Sequence, residues 1–302
     1  MVDVRQWSDL QGLLFNARQL VDGLYAGRHL SPLPGTGMDF HDYRQYVPGD
    51  NPSQIDWKLF GRTDRYFIRR YRHHTDLNVH LLVDVSASMD FAGLNASGKL
   101  QKDAISKFDY ARTLAAALAF LTVRQGDRVG LGLFAHKLLR DLPPRGSQAQ
   151  CNLACEQLHD AKIVHGQTDL IGSIRQQHAR MKRSGLLILI SDLLKPANDL
   201  SNALGILHHD RIETIVFHVM TKQEIDLRNM GPGRYRFIDS ETRLTVGSNV
   251  SKIKQNYQQQ MKTHIDALRA TCLAHDADYN LLTTDQPVMA ALRRYLVRRQ
   301  GQ

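Results

Sequence analysis

Two short apolar runs that each end on polar residues constrain the fold most strongly. The first, Val79 to Val83, is followed by Asp84, and the second, Leu186 to Ile190, is followed by Ser191 and Asp192. Such Val-, Ile- and Leu-rich runs are too short for free-standing helices and are typical of strands buried on both faces. Predicted strands and helices alternate along the rest of the chain. We therefore predict an α/β fold with a doubly wound, mostly parallel sheet.

The residues after the first run predict a site for a hard cation. Asp84, Ser86 and Ser88 occupy alternate positions, so a looping backbone can direct all three side chains into one small space. One carboxylate and two hydroxyls suit Mg²⁺, which prefers oxygen ligands and retains several waters. The same Asp-x-Ser-x-Ser pattern also occurs in turns, where the side chains only bond to backbone amides. Taken alone, the pattern leaves both interpretations open.

Two later residues complete the predicted site. Thr168 precedes an amphipathic stretch from Leu170 to Met181, and Asp192 follows the second apolar run. In open parallel sheets, ligands bind beyond the carboxyl ends of the strands, where the strand order reverses. We therefore expect the strands that end at Asp84 and Asp192 to be neighbours flanking that crevice.

This set of residues resembles a known metal site. In order and in strand context, Asp84-x-Ser86-x-Ser88, Thr168 and Asp192 are similar to the metal-ion-dependent adhesion site of von Willebrand factor A domains. The resemblance implies that these five residues hold Mg²⁺, or Mn²⁺ or Ca²⁺ in its place. It also implies a target protein that supplies an Asp or Glu to the metal.

A second group of motifs resembles a bacterial family, the domain of unknown function fifty-eight. The motifs are Gly35 to Phe40, Arg44 to Asp50, Ile55 to Lys58, and Gly61-Arg62. Members carry a von Willebrand A-like domain and are typically encoded beside a MoxR-type AAA+ ATPase. The resemblance therefore implies such an ATPase as a partner.

The predicted organisation has two parts. Residues 1–76 form an N-terminal helix and a loop-rich accessory region, and residues 77–302 form the von Willebrand A-like domain. A hairpin is inserted at about 230–248. We expect no regular structure from His29 to Asn51, and strands with an aromatic core face from Ile55 to Tyr71.

Composition favours a cytoplasmic protein without a membrane span. The three cysteines indicate no disulfide framework, and no apolar stretch is long enough to cross a bilayer. The net charge of +9 invites a nucleic-acid hypothesis. We expect nucleic-acid binding to be absent, because the family resemblance explains the Arg-rich segment Arg62 to Arg72 without it.

The same residues predict a non-catalytic binding module. No His, Cys or Lys accompanies the five site residues by motif, so a tuned acid–base group is missing from the pattern. A Mg²⁺-dependent phosphohydrolase with Asp84 as nucleophile is the first alternative, although Ser86 stands where a second carboxylate is usual. Nucleic-acid binding through Arg62 to Arg72 is the second.

Overall fold

The protein is described from a computed structural model that covers residues 10–26, 38–47, 50, 52–73, 77–93, 104–181, 185–227, 230 and 233–299. The helices are α1 (Leu10–Ala26), α2 (Trp57–Thr63), α3 (Lys107–Arg124), α4 (Gln148–Asp160), α5 (Leu170–His178), α6 (Ala197–His209), α7 (Lys222–Asp226), α8 (Val250–Ala274) and α9 (Val288–Arg299). The strands are β1 (Met38–Gln45), β2 (Phe67–His73), β3 (Asn78–Asp84), β4 (Arg128–Phe134), β5 (Leu138–Arg145), β6 (Leu186–Ser191), β7 (Glu213–Met220), β8 (Arg234–Ile238), β9 (Thr245–Asn249) and β10 (Asp278–Thr283).

A six-stranded sheet in the order β10-β7-β6-β3-β4-β5 organises the fold. All neighbouring strands are parallel except β5, which runs antiparallel to β4 at one edge. Within this sheet, β3 comes first along the chain, and β4 and β5 follow on one side of it. The chain then returns to β6 on the other side of β3 and continues outward through β7 to β10. The α/β, doubly wound, mostly parallel fold is therefore confirmed. The predicted pairing of the Asp84 and Asp192 strands is confirmed as well.

Helices cover both faces of this sheet. Val79, Leu81 and Val83 of β3 belong to the core shared with α1, α3, α4 and α9. Leu82 points to the opposite side and packs with α5, α6 and α8. Side chains of a strand alternate between faces, so an apolar strand can fill two cores at once.

Helix α3 is the most enclosed of these covering elements. Its centre, from Leu114 to Leu121, is fully or almost fully buried, because α1 and α4 cover the side that faces away from the sheet. The Ala residues in this stretch allow the close approach. The first residue of the helix, Lys107, is buried as well.

The accessory region is more regular than the sequence predicts. Residues 38–45 form β1, which pairs antiparallel with β2, so the expectation of no regular structure from His29 to Asn51 is wrong for this part. Residues 29–37, 48, 49 and 51 lie outside the described residues. The prediction of a strand from Ile55 onward is wrong for residues 57–63, which form α2. The Asp56 side chain accepts bonds from the amides of Lys58 and Leu59 and so caps the start of this helix.

Trp57, Phe60 and Tyr66 of this region do not form the expected core face. Trp57 is 62% exposed, and Phe60 and Tyr66 stack on each other with ring centroids 4.6 Å apart. They contact one another at the surface instead of the main core.

The predicted hairpin is present as β8 and β9, which pair antiparallel from Arg234 with Asn249 to Ile238 with Thr245. In the turn between the two strands, Asp239 Oδ1 accepts bonds from the amides of Glu241 and Thr242. Among the residues described, no helix combines the length and apolar character needed to span a membrane.

Candidate metal centre

The Asp-x-Ser-x-Ser segment forms a buried turn at the carboxyl end of β3. The Ser86 amide donates to Asp84 Oδ1 at 2.8 Å, and the hydroxyls of Ser86 and Ser88 lie 3.0 Å apart. The amide of Val85 donates to the Phe134 carbonyl, and its carbonyl accepts from the Val164 amide, so the turn is fixed on both sides. The side chains are thereby held in a set orientation.

The end of β6 completes the buried part of the site. Ser191 donates its hydroxyl proton to Asp84 Oδ2 at 2.6 Å, which joins the two strand ends directly. Asp192 is also buried and accepts a hydrogen bond from Ser88. Both carboxylates predicted for the site therefore lie at one crevice, where the strand order reverses.

Thr168 approaches the crevice from the loop before α5. Its hydroxyl donates to Glu241 Oε1 at 2.5 Å and its amide donates to Glu241 Oε2 at 3.3 Å. Asp84, Thr168, Asp192 and Glu241 are among the residues that line one cavity of about 10 Å³, which is roughly the space of one water molecule. Asp84, Thr168 and Asp192 therefore meet at this cavity, and the Ser86 and Ser88 hydroxyls lie in the turn that follows Asp84. Metal binding itself stays a prediction.

The two aspartates have opposite electrostatic environments. Burial, followed by repulsion from Asp192, raises the pKa of Asp84 to about 7 in spite of its hydrogen bonds from Ser191 and Ser86. Burial also acts to raise the pKa of Asp192, but the charge and hydrogen bond of Lys107 outweigh it and leave that pKa below its usual value. The charge of Asp84 is thus the less well compensated of the two.

Lys107 is the main residue that the sequence analysis missed. Its side chain is 0% exposed, and its ammonium donates to Asp192 Oδ2 at 2.8 Å and to Glu224 Oε1 at 2.5 Å. Burial alone would lower the pKa of Lys107, but the two carboxylates together raise it above its usual value. A lysine held protonated in this way is a poor general base.

Ser191, Lys195 and Glu241 were also missed as site residues. A weak signal existed for two of the missed residues: Ser191 precedes Asp192 directly, and Lys107 lies next to buried apolar positions of α3. Glu241 had none, because it reaches Thr168 from a hairpin 73 residues later in the chain.

The donor set fits a hard divalent cation. Asp84, Ser86, Ser88, Thr168 and Asp192 offer only oxygen atoms, as Mg²⁺ and Ca²⁺ prefer. Three or more His, Cys, Asp or Glu side chains placed to hold a metal are not found anywhere in the described part of the chain. A cation at this crevice would therefore depend on the hydroxyl groups as well as on the two aspartates.

Comparison with known proteins identifies related sequences. A family model described as "Protein of unknown function DUF58" matches residues 42–267. Uncharacterised proteins of Mycobacterium tuberculosis and Mycobacterium bovis are 26% identical over 296 residues, which cover 97% of this chain and 89% of theirs.

Solved structures give a more distant likeness of fold. BatB of Bacteroides thetaiotaomicron is 14% identical with a TM-score of 0.46, over 75% of this chain and 100% of that one. An aerotolerance-related membrane protein of Bacteroides fragilis is 14% identical with a TM-score of 0.42, over 72% and 96%. The VWA domain of SpRpn10 is 10% identical with a TM-score of 0.41, over 72% and 93%.

Proposed function

The chain belongs to the DUF58 family, described as proteins of unknown function, and we propose from its site chemistry that it is a metal-dependent protein-interaction module. Asp84, Ser86, Ser88, Thr168 and Asp192 would hold Mg²⁺, or Mn²⁺ or Ca²⁺ in its place. The observation that supports the proposal is that Asp84, Thr168 and Asp192 line one cavity at the ends of β3 and β6, with the Ser86 and Ser88 hydroxyls in the turn beside it.

The balance of charge around the crevice supports a divalent ion. The contacts link four carboxylates, those of Asp84, Asp192, Glu224 and Glu241, with two ammonium groups, those of Lys107 and Lys195. When Asp84 is ionised, two negative charges are left over, and one divalent cation would neutralise them. Uncompensated charge in a buried site is costly, and the raised pKa of Asp84 reflects that cost.

Binding suits this site better than catalysis does. A cation held largely by neutral hydroxyls stays electrophilic and can accept one more carboxylate, which a target protein would supply. A phosphohydrolase would need Asp84 as a free nucleophile. Both of its oxygens accept hydrogen bonds here, from the Ser86 amide and the Ser191 hydroxyl, and Ser86 stands where a second carboxylate is usual.

The proposed setting is the cytoplasm, with a MoxR-type AAA+ ATPase as partner. The ATPase would act on the target protein that this module holds, in maturation or remodelling. The cytoplasmic setting rests on composition. The ATPase and its action on the target rest on the family resemblance of the motifs in the accessory region.

Calorimetric titration with Mg²⁺ and Mn²⁺ tests the cation site. Ser86→Ala and Thr168→Ala should each weaken binding, since each removes one proposed oxygen ligand without removing a charge. Ser251→Ala, at an exposed position in the first turn of α8, is the matched control and should bind like the wild type. Unchanged affinity in both site variants would place the cation elsewhere or reduce the motif to a structural turn.

Capture from native lysate tests the partner. The wild type with Mg²⁺ should retain an ATPase of the MoxR type or its target, identified by mass spectrometry, and excess EDTA should release it. Asp192→Ala should capture less. Capture of the same proteins with equal yield in EDTA would contradict a metal-dependent interaction.

A further inference from the structure

Glu241 joins the hairpin β8–β9 to the candidate metal centre. Its carboxylate accepts bonds from the hydroxyl and amide of Thr168, and from the Lys195 ammonium at 2.6 Å. Its side chain is only 13% exposed. An acidic side chain of this chain therefore lies at the crevice to which a target's acid would have to come.

The hairpin exposes several apolar side chains, although Tyr235 and Phe237 are half-buried like Glu241. Ile238, Leu244 and Val246 are 53%, 69% and 63% exposed. A further polar contact from the turn places the Arg243 guanidinium 3.3 Å from His165 Nδ1 at the surface. The Glu241 carboxylate thus joins the hairpin turn to the crevice through polar contacts that another carboxylate could make in its place.

The turn itself is built to present Glu241. Asp239 Oδ1 accepts the amide of Glu241 at 2.8 Å and that of Thr242 at 2.9 Å, while the Asp239 amide donates to the Leu244 carbonyl. These bonds fix the backbone on both sides of the acid. Less conformational entropy is then lost when its carboxylate binds.

Thr168 can serve a cation and Glu241 at the same time. A hydroxyl has one proton to donate and two lone pairs to accept with. The proton goes to Glu241 Oε1, so the lone pairs remain for a cation. The second carboxylate oxygen is held by Lys195 and the Thr168 amide, which keeps the group at the site's edge.

We propose that Glu241 is an internal acidic ligand of the cation site, and that a target binds by displacing it with an acidic side chain of its own. This inference rests on the proposed function and adds how access of a target to the cation site is regulated. It also specifies the target's chemistry, which is a carboxylate on a tight, exposed turn like that of residues 239–244. While the hairpin is seated, the site is closed to weak acidic ligands.

A peptide of residues 234–249, labelled with a fluorophore, is the probe for this competition. In the wild type the tethered Glu241 is present at an effective concentration on the order of millimolar, so it should exclude the free peptide. Glu241→Gln removes the competing charge but preserves size. Fluorescence anisotropy with Mn²⁺ should then give at least about tenfold tighter peptide binding to this variant than to the wild type.

Two controls and one independent measurement complete the experiment. Glu213→Gln changes an exposed acid at the start of β7 and should behave like the wild type. A peptide carrying Gln in place of Glu241 should not bind any of the proteins. Trypsin should cleave at Arg234, Arg236 and Arg243 faster in Glu241→Gln than in the wild type, because its hairpin is released.

Cation titration separates failure of this inference from failure of the proposed function. If Mn²⁺ binding is lost in Ser86→Ala, but Glu241→Gln and the wild type bind the peptide equally, the internal ligand is refuted and the cation site stands. If Mn²⁺ binding is unchanged in both Ser86→Ala and Thr168→Ala, the cation site is refuted and the internal ligand is refuted with it.

Discussion

Replacement of Lys107 by Met should destabilise the protein strongly, because it leaves two carboxylates without their cation. Lys107 is fully buried, and Asp192 is only 4% exposed. Removing one partner of a buried ion pair typically costs about 3–5 kcal/mol. The cost of protonating Asp192 gives a free energy of the same size. The cheapest relief is a proton on Asp192. An aspartate in water has a pKa of 3.8, and placing a proton on it at pH 7 costs about 4 kcal/mol.

Urea unfolding measures this loss. The free energy of unfolding at pH 7 should fall by roughly 4 kcal/mol in Lys107→Met. The matched control is Lys162→Met, at an exposed position, which should change it by less than about 0.5 kcal/mol.

The pH dependence adds a second signature. Without the ammonium, the pKa of Asp192 in the folded state rises above its unfolded value, so the folded state holds the extra proton and loses stability as pH increases. The deficit of Lys107→Met against the wild type should therefore shrink as pH falls from 7 toward 4. A deficit below about 1 kcal/mol at pH 7, or one that does not change with pH, would refute the role assigned to Lys107.

Three further predictions concern the stability of the protein at low pH, its lack of catalysis and its lack of nucleic-acid binding. Burial lowers the pKa of His80 to about 4 from 6.5, so its stabilising effect is present above pH 6.5 and lost as pH falls through 4. Over that range the wild type should lose roughly 3 kcal/mol more than His80→Asn, whose amide oxygen can still accept from Gln177, and parallel urea curves would contradict this. Purified wild type with Mg²⁺ should hydrolyse no generic phosphoester above background, and turnover that disappears in Asp84→Asn would contradict a non-catalytic site. The protein should also bind no single-stranded oligonucleotide tightly at physiological salt, and sub-micromolar affinity lost on replacing Arg69 and Arg70 would overturn that expectation.

The placement of Asp84, Ser86, Ser88 and Asp192 was predictable because it depends on local sequence patterns. The apolar runs that lead into Asp84 and Asp192 identify central strands, and a parallel sheet brings the ends of such strands together. The alternation of Asp84, Ser86 and Ser88 then fixes the turn. Few details of the tertiary packing are needed for these steps.

The charged contacts around the site were not predictable because they join distant segments. Lys107 meets Asp192 across 85 residues of sequence, and Thr168 meets Glu241 across 73. Neither pair has a sequence spacing that signals contact. Helix α2 escaped prediction for a different reason: the cap that Asp56 provides outweighed the strand preference of its aromatic residues.

Anomalous diffraction from crystals grown with Mn²⁺ would test the central claim most directly, because it locates the ion itself. We predict a single strong peak in the crevice between the ends of β3 and β6, within bonding distance of the Ser86 and Ser88 hydroxyls. The peak should be absent from crystals of Ser86→Ala. A wild-type crystal with no peak there at saturating Mn²⁺, or with its ion at another place, would contradict a metal-dependent module.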